Sequence, residues 1–188
     1  NRKVYISGEI VPEVDAKISI FDSAVLLGDT VTESTRTFNF KPFKLDEHLE
    51  RLYKSFKLTR IDPQMTIEEM KKVSLELLEI NKDNYKANED CWLVHNISRG
   101  HSITGGNPAL QVSKPTVMIY TQPMNLVLWA PFYTKGCHAV TPPTRMVPSQ
   151  SLDARIKNRS RLFYTLAEIE AKLVDPDAQS VILDIHGN

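Results

Sequence analysis

The residues best equipped for chemistry in this 188-residue chain are cations. The segment RIKNRSR, residues 155–161, sets Lys157 among Arg155, Arg159 and Arg161. Neighbouring cations disfavour the charged form of a lysine and lower its pKa. With desolvation added, such an amine becomes a nucleophile able to form a Schiff base near neutral pH. The alternative is a solvated basic start to the helix that follows, the usual fate of a charge run. A second cation, Arg51, lies on the edge of an apolar stripe in an earlier segment. It is either a solvated rim residue or, held on a rigid helix, a bidentate clamp for a phosphate. A reactive lysine with a phosphate-binding arginine is what a pyridoxal-phosphate site requires. Other chemistries lack their signatures. There is no GxxxxGKS or GxGxxG loop, no His/Cys cluster at metal-ligand spacing and no GxSxG elbow.

Those two cations need elements to hold them. Ser7-Gly8 sits between apolar runs as a hairpin turn, and the β-branched VTESTRTF reads as a strand. A second turn at Asn39–Pro42 leads to LDEHLERLYKSFKL, a helix that Asp46 is placed to cap. Its buried stripe is Leu45, Leu49, Leu52 and Phe56, with His48, Arg51 and Ser55 along one edge. Thr66 and Glu69 form a capping box for a second helix, whose core face is Met70, Val73, Leu77 and Ile80. CWLVHNIS and TVMIYTQ are strands joined through the turn RGHSITGGNPAL. HAVTPPTRMV and SVILD read as further strands. Between them RLFYTLAEIEAKLV is a helix with Leu162, Phe163, Leu166, Ile169 and Leu173 facing inward. The class is α+β. The expected organisation is a small N-terminal domain at 1–123, a linker at 124–132 and part of a larger domain at 133–188.

Composition sets the outer bounds. Twenty-three Lys+Arg balance 23 Asp+Glu, so the basic excess of a nucleic-acid binder is missing. No apolar run of about 18 residues exists to span a membrane, and NRKVYISGEIV reads as a strand rather than a signal segment. Cys91 and Cys137 form no CxxC or disulfide framework, which fits a reducing, cytoplasmic setting.

Four stretches carry a resemblance. ISIFDSAVLLGDTVTESTRTFNFKPFKLDEHLERLYKS contains the Gly28-Asp29 turn, Glu33 and Arg36 in a strand, and the EHLERL helix. HNISRG ends a strand in Ser-Arg-Gly, and DARIKNRSRLFYTLAEIEA precedes SVILDIHGN. In this order they resemble the class IV (fold-type IV) pyridoxal-phosphate aminotransferases. That family includes branched-chain and D-amino acid aminotransferases, (R)-amine transaminases and aminodeoxychorismate lyase. The resemblance implies that Lys157 bonds covalently to pyridoxal 5'-phosphate and that Arg51 holds its phosphate. It also implies ping-pong transfer of an amino group between a small-molecule donor and a keto-acid acceptor, in a homodimer. Arg99 matches an arginine that helps bind the substrate carboxylate in the D-amino acid enzymes, and Arg36 and His101 are further candidates for that role.

Several positions depart from the branched-chain pattern. Thr32 stands where those enzymes tend to have Phe, at a substrate-facing position. Trp92-Leu93-Val94 replaces Tyr-x-Arg, and Leu162 replaces a tyrosine. A glutamate that pairs with the pyridine nitrogen in the family is expected beyond Asn188, in a protein about half as long again. The functional readings are therefore a transaminase of branched-chain type, a D-amino acid or (R)-amine transaminase, a lyase of the aminodeoxychorismate type, or a non-catalytic truncated relative.

Overall fold

Ser7 and Gly8, at φ 46° and 112°, close the two-residue turn between β1 (Lys3–Ile6) and β2 (Glu9–Pro12). Positive φ at both turn positions matches the twist of the paired strands. This computed structural model describes residues 1–86, 89–101 and 114–188. Most of the expected RGHSITGGNPAL turn lies outside the described residues. A short helix α1 (Ser23–Leu27) is capped by the Asp22 carboxylate and stopped by Gly28 in the left-handed region. It leads into β3 (Thr30–Phe38), which folds back on β4 (Lys41–Pro42). With β5 (Cys91–Ser98) and β6 (Thr116–Pro123), these strands form a six-stranded antiparallel sheet in the order β2-β1-β6-β5-β3-β4.

Two helices cover one face of that sheet. α2 (Leu45–Thr59) buries Leu45, Leu49, Leu52 and Phe56, the stripe read from its spacing. Its N-cap is Lys44 in the left-handed region with no side-chain cap. Asp46, expected as the cap, sits inside the first turn and pairs with Lys71 at 2.6 Å, so the acid favours the helix end through its charge. α3 (Ile67–Asn81) starts at the Thr66–Glu69 capping box, with both reciprocal bonds formed. It buries Met70 and Leu77 as expected, together with Ser74, Leu78 and Asn81, while Ile80 is exposed. The core is rotated slightly from the apolar stripe because Asn81 bonds both backbone groups of Lys3 on β1.

The chain divides into two compact units. The first is Asn1–Met124 with Ile156–Arg159, and the second is Asn125–Arg155 with Ser160–Asn188. The four residues bearing Lys157 thus belong to the first unit, although the stretches flanking them belong to the second. In the second unit, the stretch expected as a linker holds a single-turn helix, α4 (Leu126–Trp129), and a second, α5 (Phe132–Lys135), starts at its last residue. The expected strands HAVTPPTRMV and SVILD shrink to β7 (Ala139–Val140) and β8 (Gln179–Ser180), a two-residue parallel pair. Prolines 142 and 143 follow close behind β7 and offer no N–H to a ladder. α6 (Leu162–Val174) buries only Ala167 and Ala171. Leu162, Leu166, Ile169 and Leu173, expected to face inward, are exposed. Among the described residues, the two-residue pair β7-β8 is too small to cover that stripe, and the small-residue face is the one buried.

Candidate active site

The site begins with an acid in an unexpected place. Alternation along β3 turns Val31, Glu33, Thr35 and Thr37 toward the helices, and Glu33 has no exposed surface. A buried carboxylate must be satisfied on all sides or remain protonated. Here α2 satisfies it. His48, Arg51 and Ser55 fall on one edge of that helix through their i, i+3, i+7 spacing. Arg51 donates from Nε and Nη2 to the two Glu33 oxygens, each at 2.7 Å. His48 Nδ1 lies 3.1 Å from Oε1, and the Ser34 N–H donates to the same oxygen at 2.9 Å. Burial pushes the Glu33 carboxyl up. The bonds from Arg51, Ser34 and His48 outweigh that push and hold it below the usual carboxylate range, so it is ionised at neutral pH.

Lys157 comes to this acid by strand addition. The Thr32 N–H donates to the Lys157 carbonyl at 2.8 Å and the Arg159 N–H to the Thr30 carbonyl at 2.9 Å, around an antiparallel bridge between Val31 and Asn158. Residues 156–159 therefore form a short strap on the edge of β3 opposite β5. The Lys157 N–H also donates to Ser55 Oγ at 3.3 Å, while that hydroxyl donates to the Arg51 carbonyl at 3.1 Å. The lysine backbone is thus tied to both β3 and α2, and its Nζ lies 4.0 Å from Glu33 Oε1. The arginine crowding expected around it takes another form. Arg155 pairs with Asp153 at 2.6 Å and Arg161 lies over the Tyr164 ring, while a carboxylate stands near the amine.

Of the remaining candidates, Thr32 meets this cluster through its backbone N–H, which donates to the Lys157 carbonyl. Arg99 pairs with Asp29 at 2.8 Å and donates to the Thr59 and Arg60 carbonyls, closing the C-terminal end of α2. Thr32 is buried, with its hydroxyl donating to the His95 carbonyl at 3.0 Å. Arg36 lies over the Phe38 ring, 3.7 Å from its centroid. His101 is exposed and stands edge-on to Phe21. The structure brings Lys157 and Arg51 to one carboxylate and leaves Arg99, Arg36 and His101 elsewhere. Sequence reasoning passed over Glu33, His48 and Ser55 as site residues. The helical edge of His48 and Ser55 was visible in the spacing, but nothing local marked Glu33 as their partner.

Behind Glu33 lies a second buried polar group, His95, its cross-strand neighbour. Ser74 spends its single hydroxyl proton on the Met70 carbonyl at 2.7 Å. His95 Nε2, 2.8 Å from the same oxygen, must therefore be the donor to it. Burial pushes the His95 pKa down to about 4, so the ring is neutral. Among the described residues no cluster of His, Cys, Asp or Glu could hold a metal ion, and no helix is long and apolar enough to cross a membrane.

An amine and a guanidinium held by one buried acid, at the edge of an antiparallel sheet, suit a ligand that carries an anionic group and an electrophilic carbon. The chain belongs to the amino-transferase class IV family, whose model matches residues 30–188. A protein of Methanocaldococcus jannaschii, provisionally named a branched-chain-amino-acid aminotransferase, is 35% identical over 185 residues. The match covers 98% of this chain and 60% of that protein. The D-alanine aminotransferase of Staphylococcus epidermidis is 32% identical over 120 residues, covering 64% of this chain and 41% of its own. The fold is shared with the branched-chain aminotransferase of the thermophilic archaeon Thermoproteus uzoniensis, solved with norvaline. That match has a TM-score of 0.79 at 24% identity and covers 99% of this chain and 61% of that one. The chain therefore spans about 60% of the length of these two branched-chain relatives.

Proposed function

We propose that this chain carries the amine and phosphate-binding half of a pyridoxal-phosphate transaminase. The protein would move an amino group between an amino acid and a 2-keto acid by ping-pong transfer, with branched-chain-like specificity. The observation that carries this reading is the convergence of Lys157 and Arg51 on Glu33, in a chain of the class IV family. The residues fit the cofactor. Arg51 is fixed along one edge, yet its side chain is 52% exposed, and among the described residues its Nη1 makes no hydrogen bond. An anchored, half-exposed fork of this kind suits a phosphate ligand. A structural relative, also a branched-chain amino acid aminotransferase, was solved with pyridoxamine 5'-phosphate, and this chain shares its fold at a TM-score of 0.82. Pyridoxal 5'-phosphate, when bound, supplies an electron sink for the substrate α-carbon. Lys157 would hold it covalently, and its Nζ, once free, would take a proton from that carbon. The Lys157 backbone, which accepts from the Thr32 N–H and donates to the Ser55 hydroxyl, fixes where that nitrogen can reach.

The second reading, a D-amino acid transaminase, is favoured by the 32% identity to the D-alanine aminotransferase. Under it Arg99, with Arg36 and His101, would bind the substrate carboxylate. A lyase of the aminodeoxychorismate type would need no keto acid as second substrate, so half-reactions with and without one separate it from both. The family resemblance further supports a cytoplasmic homodimer. The direct test is borohydride reduction of the full-length protein with pyridoxal 5'-phosphate, followed by peptide mapping. Label on Lys157 is the expected result; label on another lysine, or none, would sink the assignment. D- and L-amino acids then separate the two transaminase readings.

A further inference from the structure

The acid that joins the two cations has a role of its own. Glu33 cannot move with Arg51, because it is buried on β3 and held by the Ser34 N–H and by His48. Arg51 cannot readily leave Glu33 either, since departure would strand a buried carboxylate without its main partner. The pair is therefore a fixed mount. Two of the five guanidinium N–H donors face the acid, Nη2 also lies 3.4 Å from His48 Nδ1, and among the described residues Nη1 makes no hydrogen bond, which leaves that edge for an incoming anion. A free arginine on an exposed helix edge would sample many rotamers and lose that entropy on binding.

We infer that Glu33 is a positioning residue for the cofactor phosphate: its buried carboxylate fixes the Arg51 guanidinium along one edge so that the opposite edge receives the phosphate. This rests on the proposed function and adds a residue to it. Ser55 extends the same mount to the strap, because its hydroxyl links the Arg51 carbonyl to the Lys157 N–H. The contrary arrangement would make Glu33 a competitor that phosphate must displace. The geometry argues against competition, since the acid occupies the edge of Arg51 that faces the core while the phosphate would take the exposed one.

The test uses the full-length protein as wild type, Glu33→Gln and Glu33→Asp. The probe is pyridoxamine 5'-phosphate, and pyridoxamine, which lacks the phosphate, is its control. Neither carries the aldehyde that would condense with Lys157, so both report non-covalent binding. Glu33→Gln should weaken the phosphorylated probe about tenfold while changing pyridoxamine by less than about twofold, as expected when a ligand-orienting partner is lost. Glu33→Asp keeps the charge on a shorter arm and should fall between; it carries the same comparison alone if the Gln variant does not fold. Equal weakening of both probes would make Glu33 a packing residue, and tighter phosphate binding would make it a competitor. Either result, or unchanged affinity, overturns the inference. Wild-type protein that binds neither probe contradicts the proposed function instead, so the two failures are distinct.

Discussion

Helices α2 and α6 carry equally plain apolar stripes and meet opposite fates. In α2, Leu49 and Leu52 are fully buried beneath β3 and its neighbours. In α6, Leu173 is 82% exposed and only two alanines are covered. The sheets explain the contrast. β5 pairs along its whole length with β6 and over seven residues with β3, whereas β7 and β8 share two residues. Helical periodicity states which face wants cover, and only a partner layer of matching area decides whether it is covered.

That contrast can be broken by mutation. Leu49→Ala should cost about 3 kcal/mol, the range for a leucine cavity in a closed core. Leu173→Ala should stay within about 0.5 kcal/mol, as exposed substitutions do. Denaturant midpoints for the two variants give the comparison directly, and similar losses would show that α6 is covered in the folded protein after all.

The first unit should also be the acid-sensitive one. Because burial lowers the His95 pKa from 6.5 to about 4, the unfolded chain binds a proton between those values that the fold refuses. Stability should therefore drop as pH falls from 6.5 to 4, by about 3 kcal/mol in total, and His95→Gln should flatten that slope. Glu33 is depressed as well. Its contribution is present above its ordinary value of 4.5 and is lost as pH falls through its lower folded value, which extends the decline. Denaturant unfolding across this pH range measures both.

Next in size is Arg51→Ala, which strips Glu33 of its bidentate partner and should cost about 2 kcal/mol, with part of the loss recovered in the double variant with Glu33→Gln. It should also weaken cofactor retention more than turnover at saturating cofactor, which equilibrium dialysis and steady-state rates separate. Smallest is Thr66→Ala, which removes one capping bond of α3 and should cost about 1 kcal/mol in thermal or denaturant unfolding.

The parts legible in the sequence were those decided within a few residues. The Thr66–Glu69 box, the α2 stripe, the Ser7-Gly8 turn and the span of β5 all rest on local spacing. Lys157 and Arg51 stood out as cations and through the family resemblance. What joins them did not. Whether Glu33 faces core or solvent depends on the register of β3 against β5 and on α2 lying over that face, which no local pattern in VTESTRTF encodes. The partners around Lys157 were hidden for the same reason. Neighbours in sequence turned to Asp153 and Tyr164, while the nearby charge came from a distant strand.

The strap at residues 156–159 bears on how the molecule comes into being. Lys157 meets Ser55 across 102 positions of sequence, so their contact has a high contact order. The six strands of the sheet are complete once Pro123 has been made, and during synthesis they can pair before Lys157 has left the ribosome. Until the strap arrives, the first residues of β3 present open backbone groups, the kind of edge to which a foreign strand can add. Docking the lysine thus closes a sheet edge and completes the proposed site in one late step.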